Sequence, residues 1–476
     1  MEAKRFLIGN NFQNSDKVKE IRNPYSQQIS SKVYISSDDD INKALNYLTS
    51  ISENYASIPS YKKSILLSRI SETLALKKEF LAKLITEETG KPITLSRVEI
   101  ERAIFTFQTG AEEARRINGE VIQLDQLPGS EGKFGIIKKY PIGLILAITP
   151  WNFPINLVAH KISPALASGN VVLLKPSSYS LGCGLAIAEI IKEVCNKIGL
   201  DFCPINVVTA SGSEIEKFVA DNRVKMVSFT GSPIVGWHIK RNLNTQRVAL
   251  ELGGNAGVIV DEDADLDIAI PKIVVGGFSN AGQSCISVQR VFVHSAIWDK
   301  FVAQIVAKTK TVKYGDPFEE ETIVGPMITE EEAVRVERWI EEALKVGGIL
   351  ITGGNRNYAL LEPTILANVP QSCNVCSKEV FAPLIVLQQF KEFKEAISFV
   401  NNSDFGLQTG IFTNNLNKVF YAFDKLEVGG VVINDVPTYR MDSMPYGGTK
   451  LSGYGKEGIK YAINEMTEQK ILIISK

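Results

Sequence analysis

Gly143-Leu-Ile-Leu-Ala-Ile-Thr-Pro150, a helical run at about 155–168, and then Val171-Val-Leu-Leu-Lys175 form the stretch that decides the fold. Strands buried on both faces of a parallel sheet read as unbroken apolar runs. Two such runs on either side of a helix make a βαβ unit. The rhythm continues downstream, with apolar runs at 205–208, 225–229 and 247–251. Helical runs separate them at about 180–198, 212–220 and 234–243. Sheets of this kind bind nucleotides at the carboxyl ends of their strands.

A second alternating half follows. Gly257-Val-Ile-Val-Asp261 reads as a strand, followed by a helix to about 279, a strand at 288–294 and a helix at 296–310. Gly410-Ile-Phe-Thr413 and Gly430-Val-Val-Ile-Asn434 add further strands. The predicted class is α/β, with two doubly wound parallel-sheet domains and a small β element.

The first third reads as helical. Ser37-Asp38 precedes Ile41, Ala44, Leu45 and Leu48 at helical spacing. Helical runs at about 61–89 and 94–117 stop at Gly90-Lys-Pro92 and Asn118-Gly119. Residues 120–140 read as a hairpin around Pro128-Gly-Ser-Glu-Gly132. The tail, Lys470-Ile-Leu-Ile-Ile-Ser-Lys476, reads as a strand that must pair, because so apolar an edge left open aggregates.

Composition narrows the function classes. The chain has 476 residues, 45% hydrophobic and 22% charged, as in folded rather than disordered proteins. Its 52 basic and 53 acidic residues give a net charge of −1 with no basic stripe, which argues against nucleic acid as a partner. The segment from Tyr140 to His160 carries no Asp, Glu, Lys or Arg, yet Pro141, Pro150 and Pro154 interrupt it. Strand, turn and helix fit it better than a membrane span. No apolar targeting run follows Met1-Glu-Ala-Lys-Arg-Phe. Six cysteines are too few for a disulfide scaffold, so reduced thiols in a cytoplasmic protein are expected. Cys373-x-x-Cys376 lacks a second pair or a nearby His to complete a metal site, so no metal is expected.

Four segments are candidates for chemistry. Phe229-Thr-Gly-Ser-Pro-Ile-Val-Gly236 puts two glycines at a strand end before a helix, which suits a pyrophosphate or an ordinary turn. Cys285, in Gly282-Gln-Ser-Cys285, is a candidate nucleophile or a structural thiol. Glu251, in Glu251-Leu-Gly-Gly254, is a candidate general base or an ion-pair partner. Asn152, in Pro150-Trp-Asn-Phe-Pro154, is a candidate oxyanion donor or part of a structural turn.

In this order and spacing the four segments resemble the aldehyde dehydrogenase superfamily. Leu174-Lys-Pro-Ser177, Lys378-Glu-Val-Phe-Ala-Pro383, Asn402-Ser-Asp-Phe-Gly-Leu407 and Pro445-Tyr-Gly-Gly-Thr-Lys-Leu-Ser-Gly453 extend the resemblance over nearly the whole chain. It implies Cys285 as nucleophile, Asn152 and the Cys285 N–H as oxyanion donors, and Glu251 as the base that activates water. It places Lys161 on the proton path to Glu251. It assigns Lys175 to the adenine ribose, Gly231 and Ser232 to the pyrophosphate, Glu379 to the nicotinamide ribose, and Phe381 and Trp151 to the cofactor groove.

Family members that prefer NAD often carry Glu where this chain has Ser178. Without that carboxylate a 2′-phosphate meets no repulsion, so either NAD or NADP is expected, with NADP favoured. The presence of Glu251 implies release of a free acid rather than a coenzyme A ester.

The substrate side of the resemblance rests on Asn156, His160 and Arg440. Asn152, Asn156 and His160 would share one face of a helix starting near Phe153, and in the family this helix lines the aldehyde tunnel. A polar face implies a small hydroxy-aldehyde of lactaldehyde or glyceraldehyde type. Arg440, in Asn434-Asp-Val-Pro-Thr-Tyr-Arg-Met-Asp442, would favour succinate semialdehyde, and glyceraldehyde-3-phosphate ranks below it. The segment 434–448 most resembles the branch containing lactaldehyde and succinate-semialdehyde dehydrogenases. The resemblance divides the chain into a nucleotide-binding domain (1–119 and 141–251), a catalytic domain (252–450), and an oligomerisation arm and strand (120–140 and 451–476). It implies a homodimer or homotetramer. A structural protein recruited from the family would be expected to have lost some of these residues.

Overall fold

The computed structural model describes residues 2–475. Five parallel strands form the centre of the first sheet, in the spatial order Ile205–Val207, Val171–Lys175, Leu144–Ile148, Val224–Thr230, Arg247–Glu251. The strands Leu144–Ile148 and Val171–Lys175 are buried at every position, which explains their unbroken apolar runs. From Leu144–Ile148 the chain winds outward in one direction, then crosses to Val224–Thr230 on the other side. That reversal opens a crevice at the carboxyl ends of these two strands. Trp151 and Asn152 follow one strand, and Gly231 and Ser232 follow the other.

The second sheet has the order Ile349–Thr352, Thr364–Ala367, Leu384–Phe390, Arg290–His294, Gly257–Val260, Gln408–Phe412, Gly430–Ile433. All neighbours are parallel except the antiparallel edge strand Ile349–Thr352. Each large sheet has its own apolar core, and the functional cavity opens between them. The expected helices are present, beginning with Asp38–Ala56. There Ser37 and Asp40 form a reciprocal capping box that satisfies two otherwise orphaned N–H groups.

Two features differ from the sequence reading. Residues 6–34 are extended rather than helical: Phe6–Ile8 and Asn11–Gln13 turn through Gly9 at φ +62° and extend the first sheet antiparallel. Residues 451–466 do not belong with the arm. Gly453–Tyr454 pairs antiparallel with Arg247–Glu251, and helix Ile459–Glu465 buries Ile459 and Ile463 in the first core. The hairpin strands and the tail strand pair with one another. Glu120–Gln123, Lys133–Pro141 and the tail strand Thr467–Ser475 form an antiparallel sheet that leaves Leu472 and Ile473 exposed. Among the described residues no helix is long and apolar enough to cross a membrane.

Candidate active site

A cavity of about 700 Å³ occupies the crevice. Trp151, Asn152, Gly231, Ser232 and Glu251 reach it from the first sheet, and Cys285, Glu379, Phe381 and Arg440 from the second. Cys285 follows a turn in which Asn280, Ala281 and Gly282 all take positive φ, at 53°, 54° and 65°. L-residues rarely adopt this region. Gly282 meets the Ala382 carbonyl so closely that a Cβ would not fit.

Gln283 braces the turn, donating to the carbonyls of Asn280 and Pro326 and accepting from the Ile328 N–H. Its own carbonyl accepts from the Asn152 side-chain amide at 3.0 Å, which ties the two halves of the crevice together. Cys285 Sγ lies 3.3 Å from the Tyr446 hydroxyl. Burial pushes the Cys285 thiol up to about 11; the Tyr446 bond opposes this, and Glu379 adds to it.

Glu251 ends its strand buried, and neither carboxyl oxygen has a hydrogen-bond partner among the described residues. Burial raises its pKa well above the ordinary range, Glu457 raises it further, and Arg440 and Lys161 pull it down. Gly447, at φ +153°, passes so close that a Cβ there would sit 3.0 Å from Glu251 Oε1. A thiol and a carboxyl of raised pKa in one cavity can perform nucleophilic attack followed by base-assisted hydrolysis.

The cofactor candidates are arranged along the crevice. Ser232 caps helix Pro233–Asn242 without using its hydroxyl as the cap, and the Gly231 N–H donates to the Glu251 carbonyl at 3.0 Å. A Cβ on Gly231 would strike the Phe229 ring. Glu379 accepts from the Gly254 N–H at 2.9 Å, and burial lifts it to about 7. Trp151 meets Phe381 edge-on, with centroids 5.9 Å apart.

Lys175 ends its strand buried, and no carboxylate bonds its Nζ among the described residues. Burial brings it down to about 8, Lys19 lowers it further, and Glu214 opposes. Ser178 is half-buried three residues on. A buried lysine without a carboxylate partner, near a half-buried hydroxyl, suits the ribose of a dinucleotide.

Other assignments are corrected by the geometry. Lys161 does not bond Glu251; its Nζ pairs with Glu457 at 2.9 Å and with the Ser228 hydroxyl at 3.2 Å. It acts on Glu251 through charge alone. The helix starts at Asn156 rather than near Phe153, because 151–155 is an irregular turn. The Glu99 carboxylate accepts the N–H groups of Ile155 and Asn156 at this helix start, satisfying two orphaned donors.

Asn156 lines the cavity, but its side chain is committed to Thr106 and Asp442. His160 lies behind the lining, fully buried, with Nε2 2.7 Å from Asp442. Desolvation and Arg440 hold His160 toward its neutral form. The neutral tautomer assigned by this pairing donates Nε2–H to Asp442, and the Arg440 guanidinium lies 3.4 Å from both ring nitrogens.

Arg440 does reach the cavity. It pairs with Glu457 at 3.1 Å, stacks 3.7 Å over the Tyr446 ring, and leaves Nε buried without an acceptor.

Sequence reasoning did not single out Tyr446, Glu457, Asp442, Gln283 or Arg102, whose guanidinium bonds Asp442 through two nitrogens. Tyr446, Gln283 and Asp442 lay inside quoted motifs without being singled out; Glu457 and Arg102 carry no local signal. Cys373 precedes the four-residue helix Asn374–Ser377 and Cys376 lies within it; the two belong to no metal-ligand cluster among the described residues.

The comparisons with known proteins agree with this geometry. Residues 12–472 match the family model described as Aldehyde dehydrogenase family. A 3-sulfolactaldehyde dehydrogenase of Priestia aryabhattai is 44% identical over 96% of this chain and 94% of its own length. A lactaldehyde dehydrogenase of Methanococcus vannielii is 39% identical over 96% of this chain and 97% of its own. The crystal structure of aldehyde dehydrogenase 21 from Physcomitrella patens, in complex with the reaction product succinate, superposes with a TM-score of 0.97. It is 41% identical and covers 100% of this chain and 99% of that one. With the family model spanning the sheets, the crevice and the tail strand, this chain belongs to the aldehyde dehydrogenase family and is an NAD(P)-dependent aldehyde oxidoreductase.

Proposed function

We propose that Cys285 is the nucleophile and Glu251 the hydrolytic base in the oxidation of a short polar aldehyde to its free acid. The observation that carries this reading is the meeting of an oriented thiol and an unpartnered carboxyl in one cavity. The Cys285 thiolate attacks the aldehyde carbon and forms a C–S bond. The carbonyl oxygen becomes an oxyanion, held by the Asn152 side-chain N–H and the Cys285 backbone N–H. One such donor is typically worth about 2.7–4 kcal/mol.

As the carbonyl re-forms, hydride leaves the thiohemiacetal carbon and a thioester remains; a bound NAD(P) would supply the hydride acceptor. Trp151 and Phe381 would flank its groove, Glu379 would hold the nicotinamide ribose, Gly231 and Ser232 would receive the pyrophosphate, and Lys175 would take the adenine ribose. Glu251 then draws a proton from water as the water attacks the thioester. The C–S bond breaks, the thiolate is restored, and the acid leaves. Lys161 and Arg440 keep Glu251 within reach of ionisation.

The absence of a carboxylate at Ser178 and the nearness of Lys19 to Lys175 support NADP over NAD. Glu214, which faces the same lysine, works against the 2′-phosphate; its carboxylate accepts from the Ser211 N–H and is turned toward that cap.

A second reading is favoured by one observation. Lys161 and Arg440 share a single carboxylate, Glu457, and Arg440 faces the cavity. The surplus cation suits an aldehyde bearing a carboxylate, sulfonate or phosphate. Initial rates with lactaldehyde, glyceraldehyde, 3-sulfolactaldehyde, succinate semialdehyde, glyceraldehyde-3-phosphate and a simple alkanal, each with NAD and NADP, decide between the readings. A tenfold lead in kcat/KM for an anionic aldehyde, about 1.4 kcal/mol, assigns Arg440 to the substrate. A lead for lactaldehyde or glyceraldehyde assigns it to holding the site together. A simple alkanal leading all of them overturns both readings.

The outward Leu472 and Ile473, with Leu416, Phe420 and Phe423 exposed on helix Leu416–Lys425, support assembly into a homodimer or homotetramer. Sedimentation analysis tests this; a monomer at micromolar concentration overturns it. Six free cysteines, five of them buried, suit the reducing cytoplasm.

A further inference from the structure

We propose that Tyr446 is a catalytic residue: its hydroxyl donates a hydrogen bond to the Cys285 thiolate, and Arg440, stacked on its ring, strengthens that donor. The inference rests on Cys285 being the nucleophile. Its geometric basis is the 3.3 Å separation of Tyr446 Oη from Cys285 Sγ.

Tyr446 is held rigidly where this bond requires it. Its N–H donates to the Glu457 carbonyl at 3.1 Å, and its carbonyl accepts from the Glu457 N–H at 2.7 Å. The ring is 3% exposed and packs with Ile286, Leu407 and Met444. Glu457 therefore fixes both partners: its backbone holds Tyr446 and its carboxylate holds Arg440.

The direction of the bond follows from acidity. Burial keeps the phenol protonated, so Tyr446 supplies the hydrogen and the sulfur accepts. The Tyr446 bond is also the strongest influence opposing the upward push of burial on Cys285. The thiolate is the reactive species, so a donor that stabilises it raises the reactive fraction at neutral pH. A guanidinium 3.7 Å above the ring draws electron density from the phenol and makes its O–H a stronger donor. Tyr446 keeps its own proton throughout, and no bond to it forms or breaks. The bond also fixes the direction of Sγ, which a buried thiol of ordinary rotamer freedom would not keep.

The test is the pH dependence of Cys285 alkylation by iodoacetamide in the nucleotide-free enzyme, with the site identified by mass spectrometry. Tyr446→Phe keeps the packing and removes only the donor. The expected result is an inflection about one pH unit higher, and alkylation about tenfold slower below it. kcat should fall while the KM for the dinucleotide stays unchanged. An inflection coinciding with that of the unaltered enzyme overturns the proposal.

Should Tyr446→Phe not fold, incorporation of 3-fluorotyrosine at position 446 carries the test. This more acidic phenol should move the inflection down, and no movement overturns the proposal. Cys285→Ala separates this failure from that of the parent reading. Aldehyde oxidation surviving in that variant defeats the assignment of the nucleophile. A dead Cys285→Ala variant beside an unmoved Tyr446→Phe profile defeats only the tyrosine.

Discussion

Asn152 donates its side-chain N–H across the crevice to the main-chain oxygen of Gln283 at 3.0 Å. One amide thus joins the end of a first-sheet strand to the strained turn that presents Cys285. Its second N–H remains available to an oxyanion. Asn152→Ala should lower kcat/KM by about 10²–10³, the usual loss for one oxyanion donor. Fluorescence titration should show dinucleotide affinity within twofold of the parent. A fall in affinity to match kcat/KM would make Asn152 a cofactor-site residue instead.

Glu251→Gln should separate the two half-reactions. A burst of reduced nicotinamide should persist in stopped-flow, while steady-state turnover falls by about 10²–10⁴. In the parent, activity should rise with pH as Glu251 ionises through its raised pKa, and this limb should vanish in the variant.

Stability should move in the opposite direction. Because the folded pKa of Glu251 lies above its ordinary value, its neutral burial favours folding below that ordinary value. This contribution is lost as pH rises through the folded pKa. The melting temperature of Glu251→Gln relative to the parent should therefore climb as pH rises from the ordinary carboxylate range through the raised pKa of Glu251. A constant difference across that range refutes the raised pKa.

Glu457→Gln should leave Lys161 and Arg440 buried without the carboxylate that bonds them both. Breaking a buried pair in this way typically costs about 3–5 kcal/mol, readable by denaturant unfolding. Removing the negative neighbour also lowers the pKa of Glu251, so the alkaline-rising limb of kcat should shift to lower pH. A destabilised variant whose limb does not move would confine Glu457 to a structural role.

Ser178→Glu should cut kcat/KM for NADP by at least about tenfold, since like charges at short range cost more than 1.4 kcal/mol. NAD kinetics should stay nearly unchanged. Lys19→Ala should weaken NADP alone. Equal losses with both dinucleotides would remove these residues from the 2′-phosphate site.

The strands were legible where burial is complete. Leu144–Ile148 and Val171–Lys175 have no solvent face, so their whole sequence is apolar and their edges are sharp. Phe6–Ile8 and Asn11–Gln13 were not legible, because three-residue strands are too short to show a period. Cys285, Glu251 and Asn152 stood out through the family resemblance, since each read alone left a structural alternative open; the structure brings all three to one cavity. Asn156 and His160 do share a helix face, both reaching Asp442, but His160 lies one turn deeper and is buried behind the lining, which periodicity does not reveal; the irregular turn 151–155 removes only Asn152 from that helix. Asp442 and Glu457 give no local sign. Their partners Arg102, His160 and Lys161 lie 340, 282 and 296 residues away, and an acidic residue in a glycine-rich loop reads as solvated.

Under the proposed mechanism, the sharing of Glu457 by Lys161 and Arg440 should produce product inhibition. The acid product would bring a new carboxylate to that positive charge, and while it remained Glu251 would have less reason to ionise; its departure would re-arm the base. Inhibition by the acid should therefore deepen as pH falls, and small inorganic anions should mimic it.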